Sequence, residues 1–210
     1  MEQELHVITT GQQQSAEIVE IVAHIHPYVD TIHLREKQMT AKELGNLVSS
    51  LLDQGVPASK MVVNDRVDVA VVYSLKGVQL AYHSLDVKRV KDHFPSLQVG
   101  CSVHSLEEAL AAARHGADYC VYGHIFPTAS KKGLQPRGIQ ALTQIANEVP
   151  IPVIGIGGIT VENAVHVLNA GAKGIAVMSG VFLAKDPVSA AKAYTRLLKN
   201  WRAKHGKQTI

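Results

Sequence analysis

Short apolar runs of strand character alternate with longer stretches of helical periodicity along the whole chain. The first strand is predicted over Leu5 to Thr9, with a helix through Ile18, Ile21 and Val22 behind it. The second covers Thr31 to Arg35; Leu44, Leu47, Val48 and Leu51 then recur at the i, i+3, i+4, i+7 spacing of an amphipathic stripe. Further strands are predicted at Met61 to Val63, Gly77 to Leu80, Gln98 to Ser102, Tyr119 to Gly123, Val153 to Ile156 and Gly174 to Val177. Between them lie helical patterns at Val69 to Tyr73, Val87 to His93, Leu106 to Arg114 and Gln140 to Asn147, one opening at Thr160, and one from Pro187 to about Arg202. Ser105 with Glu108 has the spacing of a capping box.

Eight β/α units of about 26 residues each predict a single (β/α)8 TIM barrel spanning 1–210, with a frayed tail beyond about residue 202. A doubly wound sheet would need fewer strands, and an early glycine-rich turn if it bound a dinucleotide. Thr9-Thr10-Gly11 is not such a turn.

Composition narrows the function classes. Hydrophobic residues make up 46% and aromatics only 5%, so Val, Ile, Leu and Ala dominate, a palette suited to parallel strands buried on both faces. The net charge of +3 comes from scattered Lys and Arg with no basic run, which argues against nucleic acid as a partner. No apolar run reaches bilayer length and no leader opens the chain, so the expectation is a cytoplasmic protein without membrane contact. Cys101 and Cys120 fall inside strands and are read as buried thiols that do not pair in a disulfide.

Barrel chemistry gathers where strands end. The seventh and eighth strands run into Gly155-Ile156-Gly157-Gly158-Ile159-Thr160 and Val177-Met178-Ser179-Gly180, each opening a helix, turns whose backbone N–H groups can approach a phosphate; two tight turns without a ligand is the plainer reading. On the second strand, Arg35 and Lys37 are suited to a carboxylate or phosphate, or Arg35 simply pairs with Glu36 at the surface. After the third strand, either Asp65 caps the next helix, or Asn64 and Asp65 face substrate. His124 stands where the sixth strand opens into a long loop bearing Thr128, Ser130, Lys131 and Lys132, a place for a group that gives and takes a proton. His24, His26, His93, His115 and His166 fall on helices and read as outer-face residues.

In order along the chain, Ile32-His33-Leu34-Arg35-Glu36-Lys37, Val63-Asn64-Asp65-Arg66, Gly100-Cys101-Ser102-Val103-His104, Ala117-Asp118-Tyr119, Phe126-Pro127-Thr128, Gly155-Ile156-Gly157-Gly158-Ile159 and Val177-Met178-Ser179 resemble the thiamin phosphate synthase superfamily. That synthase joins a hydroxymethylpyrimidine diphosphate to a thiazole phosphate and releases pyrophosphate, with magnesium held by two acidic residues. The first acidic position matches Asp65. The second belongs to a Gly-Gln-x-Asp stretch, where this chain reads Ala81-Tyr82-His83-Ser84. Ser84 therefore replaces a carboxylate, which should weaken magnesium binding, and Tyr82 is bulkier than the glutamine. The synthase's Gly-Pro-Ile-Phe-Pro-Thr also differs, becoming Gly123-His124-Ile125-Phe126-Pro127-Thr128.

These departures resemble the thiazole tautomerase (TenI) branch. The resemblance implies an isomerase in thiamine biosynthesis that aromatises the exocyclic-alkene tautomer of carboxythiazole phosphate, without metal or cofactor. His124 would move the protons, alone or with Glu36, His104 or water. Gly157, Gly158, Met178 and Ser179 would hold the phosphate. Ser102, Thr128 and Lys131 would line the site, with Asn64 also among the substrate contacts and Arg35 and Lys37 meeting the carboxylate. The partner is then a small thiazole phosphate, with a homodimer as the expected assembly. Two other readings stay open: a thiamin phosphate synthase with an altered magnesium site, and a non-catalytic regulatory barrel that binds a thiamin-pathway phosphate.

Overall fold

In the computed structural model, which describes residues 3–131 and 133–205, eight parallel strands close into a barrel in chain order. They are β1 (Glu4–Ile8), β2 (Thr31–Leu34), β3 (Met61–Asn64), β4 (Gly77–Leu80), β5 (Gln98–Val103), β6 (Tyr119–Gly123), β7 (Val153–Ile156) and β8 (Gly174–Val177). Closure is made by β1 on β8, with Glu4 level with Gly174 and Val7 level with Val177. The helices that pack outside are α1 (Ser15–Ile25), α2 (Ala41–Asp53), α3 (Val67–Val72), α4 (Val87–His93), α5 (Leu106–Arg114), α6 (Gly138–Glu148), α7 (Ala164–Asn169), α8 (Ser179–Phe182) and α9 (Pro187–His205). The barrel expected from the alternation of runs is the fold observed.

Burial explains why these segments hold. Leu44, Leu47, Val48 and Leu51 of α2 are all buried against the strands, and each apolar side chain so removed from water contributes about 1.5–3 kcal/mol. The strands present apolar residues to both faces, as parallel strands covered by helices must. The inward face carries its own small apolar cluster of Ile8, Tyr119, Val121, Ile154 and Ala176. Inside the barrel too lie His6 and His33, with ring centroids 5.1 Å apart and the Tyr119 ring edge-on to both.

Several details differ from the sequence expectation. Of the Ser105–Glu108 capping box only half forms: Ser105 accepts from the Glu108 N–H at 3.1 Å, but the Glu108 carboxylate accepts from His104 N instead. A complete box stands at Thr40 and Glu43, ahead of α2. The seventh helix begins at Ala164, not Thr160. Asn163 holds the intervening turn, accepting from Thr160 N and donating to the Gly158 carbonyl, both at 2.9 Å. The short α8 opens at Ser179, in the turn after the eighth strand where a helix start is expected. The last helix runs to His205, past the expected fraying point, and residues 206–210 lie outside the described chain. The thiols of Cys101 and Cys120 are free; Cys120 is buried as expected, while Cys101 is half-buried. His24, His93, His115 and His166 are exposed on or beside helices, while His26 is half-buried in a short 3-10 turn. No helix among the described residues is long and apolar enough to cross a membrane.

Candidate active site

A cavity of about 520 Å³ opens at the C-terminal ends of the strands, the end of a barrel where catalytic groups collect. Its walls bring together residues far apart in the chain: Arg35 after β2, Ser102 on β5, His124 after β6, Thr128 and Lys131 on the following loop, Gly157 and Gly158 after β7, and Met178 and Ser179 after β8. Of the expected site residues, Lys37 and Asn64 do not line it, and neither does Asp65. Lys37 is exposed, and Asn64, at the end of β3, carries a buried amide oxygen without a hydrogen-bond partner. Lys132 lies outside the described residues.

The glycine-bearing end of the cavity is built by packing. Gly157 has φ +97° and Gly158 φ +65°, values that L side chains rarely adopt. A Cβ on Gly157 would run into the backbone and Cβ of His124; one on Gly158 would strike Pro127 O and Phe126. The two glycines thus let the loop after β6 lie directly on the turn after β7, which brings His124, Thr128 and Lys131 beside the backbone N–H groups of that turn. Opposite, Gly180 leaves room for the Tyr194 hydroxyl, which donates to the Ile159 carbonyl at 3.1 Å. Residues Ser179 and Gly180 open α8, and first-turn N–H groups have no acceptor within their own helix.

Around this end the polar groups are held in place. His124 is 8% exposed, its Nε2 lies 3.4 Å from the Leu134 carbonyl, and its own carbonyl accepts from Arg137 N at 2.9 Å. Lys131 N donates to Thr128 O at 3.1 Å, so both side chains belong to one turn. Gln79, buried on β4, donates through Nε2 to Ser102 Oγ at 2.9 Å. Gln79 and Tyr194 escape the sequence reading. A polar residue inside the apolar run Gly77–Leu80 is the available signal for the first; for the second, one tyrosine in a long helix carries none. The surface ion pair suggested between Arg35 and Glu36 does not form. The Glu36 carboxylate instead turns toward Thr9 and Gly11, half-buried, and burial pushes its pKa up.

Across the mouth, Asp65 does not cap α3, whose N-cap is Arg66 with no side-chain bond. Its Oδ2 accepts from His83 Nε2 at 2.7 Å and its Oδ1 accepts from Ser84 Oγ. A magnesium ion of the kind the synthase pattern implies is held by one or two carboxylates together with waters and substrate phosphates. Here Ser84 takes the second acidic position of that pattern, so Asp65 is the carboxylate left of the pair, and both of its oxygens already accept from neighbours. Among the described residues no group of three or more His, Cys, Asp or Glu is placed to hold a metal. The residues present do not fit the ion.

Fold and cavity together define a (β/α)8-barrel protein with a cavity at the strand C-termini, walled by two glycine-bearing turns with Lys131 and Arg35. Residues 5–181 match the family described as thiamine monophosphate synthase, and the chain belongs to that family. It is 41% identical over 178 residues to a thiamine-phosphate synthase of Chlorobium luteolum, covering 83% of this chain and 84% of that protein. It is 36% identical over 195 residues to a thiamine-phosphate synthase of Pyrococcus horikoshii, covering 91% and 93%. A solved thiamine phosphate pyrophosphorylase from Pyrococcus furiosus superposes with a TM-score of 0.80 at 33% identity, over 94% of this chain and 96% of that one. These findings overturn the tautomerase reading and the isomerase class with it, because the relatives bear the name of a synthase, a transferase. The departures at His124 and Ser84 are local, whereas the likeness to synthases runs along most of the chain.

Proposed function

We propose that this chain is a transferase of the thiamine-phosphate synthase type, joining a pyrimidine that carries a diphosphate leaving group to a phosphate-bearing thiazole. One observation carries the reading. The turns after β7 and β8 face one cavity, with Lys131 and Thr128 on one side of it and Arg35 across the mouth. A single phosphate would need one such end; two anionic half-substrates need both. The names of the relatives support the same reaction.

In this reading the thiazole phosphate lies on the N–H groups of Gly157, Gly158 and Ser179, beside Met178, with Lys131 and Thr128 completing the anion site. His124 meets the thiazole ring and, with Ser102 held by Gln79, orients its nitrogen. That lone pair forms the new bond to the pyrimidine methylene carbon as the carbon–oxygen bond to diphosphate breaks, the leaving oxygen taking the electron pair. Arg35 draws the departing anion away from the new bond, with Lys37 and Asn64 assigned to the same outer side. Much of the barrier is met by holding two reactants in line.

The test is product formation from both half-substrates by the purified chain, with diphosphate followed as it is released. Turnover is expected, reduced about tenfold or more in Arg35→Ala through loss of a charge-assisted contact, and reduced also in His124→Ala. If the thiazole phosphate binds but neither product nor diphosphate appears at any magnesium concentration, the transferase reading fails. A phosphate-binding barrel without this catalysis would then remain.

A further inference from the structure

The loops after β3 and β4 are joined by one carboxylate. Asp65 has left-handed backbone, φ +66°, a conformation that Asp tolerates better than most residues with a Cβ. Its N–H donates to the Gln79 carbonyl on β4 at 3.1 Å, and its side chain reaches into the loop beyond. Both partners of that side chain are donors. His83 Nε2 must carry a proton to bond the carboxylate, and Ser84 Oγ spends its only proton on Asp65 while accepting from Ala81 N at 2.7 Å. The surroundings of Asp65 are therefore complementary to an anion. A cation at the same place would face N–H and O–H hydrogens where it needs lone pairs.

We propose that Asp65 is a latch between two mouth loops in this chain, and that residue 84 decides whether this side of the mouth takes a divalent cation. As a hydroxyl it completes the latch; as a carboxylate it would free Asp65 from one donor and supply a second anionic oxygen pair. The proposal deepens the transferase reading, since this is the side assigned to the diphosphate, but metal binding can be read without any substrate.

The experiment is titration of the purified chain with Mn²⁺, followed by the electron paramagnetic resonance of the free ion, with thermal midpoints measured in parallel. The native chain and Asp65→Asn should leave the same free-ion signal. Ser84→Asp should gain one saturable site on the order of tenfold tighter than anything in the native chain, because affinity follows the ligand charge count. Asp65→Asn and Ser84→Ala should each lower the thermal midpoint by about 2–4 °C or more as the latch opens. One Mn²⁺ bound stoichiometrically by the native chain and lost in Asp65→Asn would overturn the proposal, as would a Ser84→Asp protein that binds no tighter than native. If Asp65→Asn does not fold, Ser84→Ala carries the comparison. Failure of synthase turnover leaves these titrations standing, so the two readings fall separately.

Discussion

Gly157 and His124 show how closely one residue at the mouth depends on another. The glycine is needed twice over, for its φ of +97° and because His124 occupies the space of its missing side chain. Gly55, with φ +79° and nothing within 4 Å of the place a Cβ would take, shares only the first requirement. Gly55→Ala should therefore cost about 1–2 kcal/mol from backbone conformation alone, and Gly157→Ala at least about 1 kcal/mol more from overpacking. Urea denaturation of the two variants separates the terms, and equal losses would show that the contact with His124 yields freely. Gly157→Ala should also lower synthase turnover by displacing the imidazole, whereas Gly55→Ala should leave it unchanged. The paired glycine turns are visible in the sequence. That His124 is the group packed on one of them is not, because a long loop and a whole helix separate the two.

Element boundaries follow local chemistry wherever a side chain can reach its own backbone. Thr40 and Glu43 form a reciprocal box before α2, with Glu43 Oε2 accepting from both the N–H and hydroxyl of Thr40 at 2.8 Å. Thr40→Ala should destabilise the chain by about 1 kcal/mol, within the range for N-cap removal, and thermal or urea unfolding would measure it. A loss near zero would mean that the buried stripe of α2 holds the helix without its cap. This box has the same residue pattern as the expected one at Ser105, so pattern alone does not distinguish them. What separates them is the loop direction before α5, which delivers His104 N to Glu108 in place of Ser105 N. The start of α7 is likewise decided by the Asn163 bond to Gly158, a contact that depends on the glycine's own strained turn.

The barrel as a whole encloses polar groups that its sequence gives little warning of. Glu4 accepts from His6 Nε2 at 2.9 Å, so the His6 proton sits there and its bare Nδ1 accepts from His33 Nε2 at 3.0 Å. Burial holds both histidines below the ordinary range, His33 well below, although Glu4 pulls His6 back upward. In the unfolded chain they take up protons near the ordinary value of 6.5, so the unfolded state binds more protons as pH falls below it. Stability from this pair is therefore complete above about pH 6.5 and is lost on acidification toward the lowered folded values. The urea midpoint should fall steadily between about pH 7.5 and 5.5, and by less in a folded His33→Asn variant. A flat native profile would show that the pair protonates without cost.

Runs of Val, Ile, Leu and Ala interrupted at regular intervals determined the eight units, their helices and the barrel, because burial on both faces of a parallel strand leaves its mark on every residue of the run. Most of the residues singled out in the sequence line the cavity at the mouth, since strand ends in a barrel all point one way. Tertiary structure alone decided which polar side chains meet: Asp65 with His83 and Ser84, Gln79 with Ser102, His6 with His33. Such pairs join neighbouring strands or their loops across long stretches of chain, and their geometry exists only once the sheet has closed.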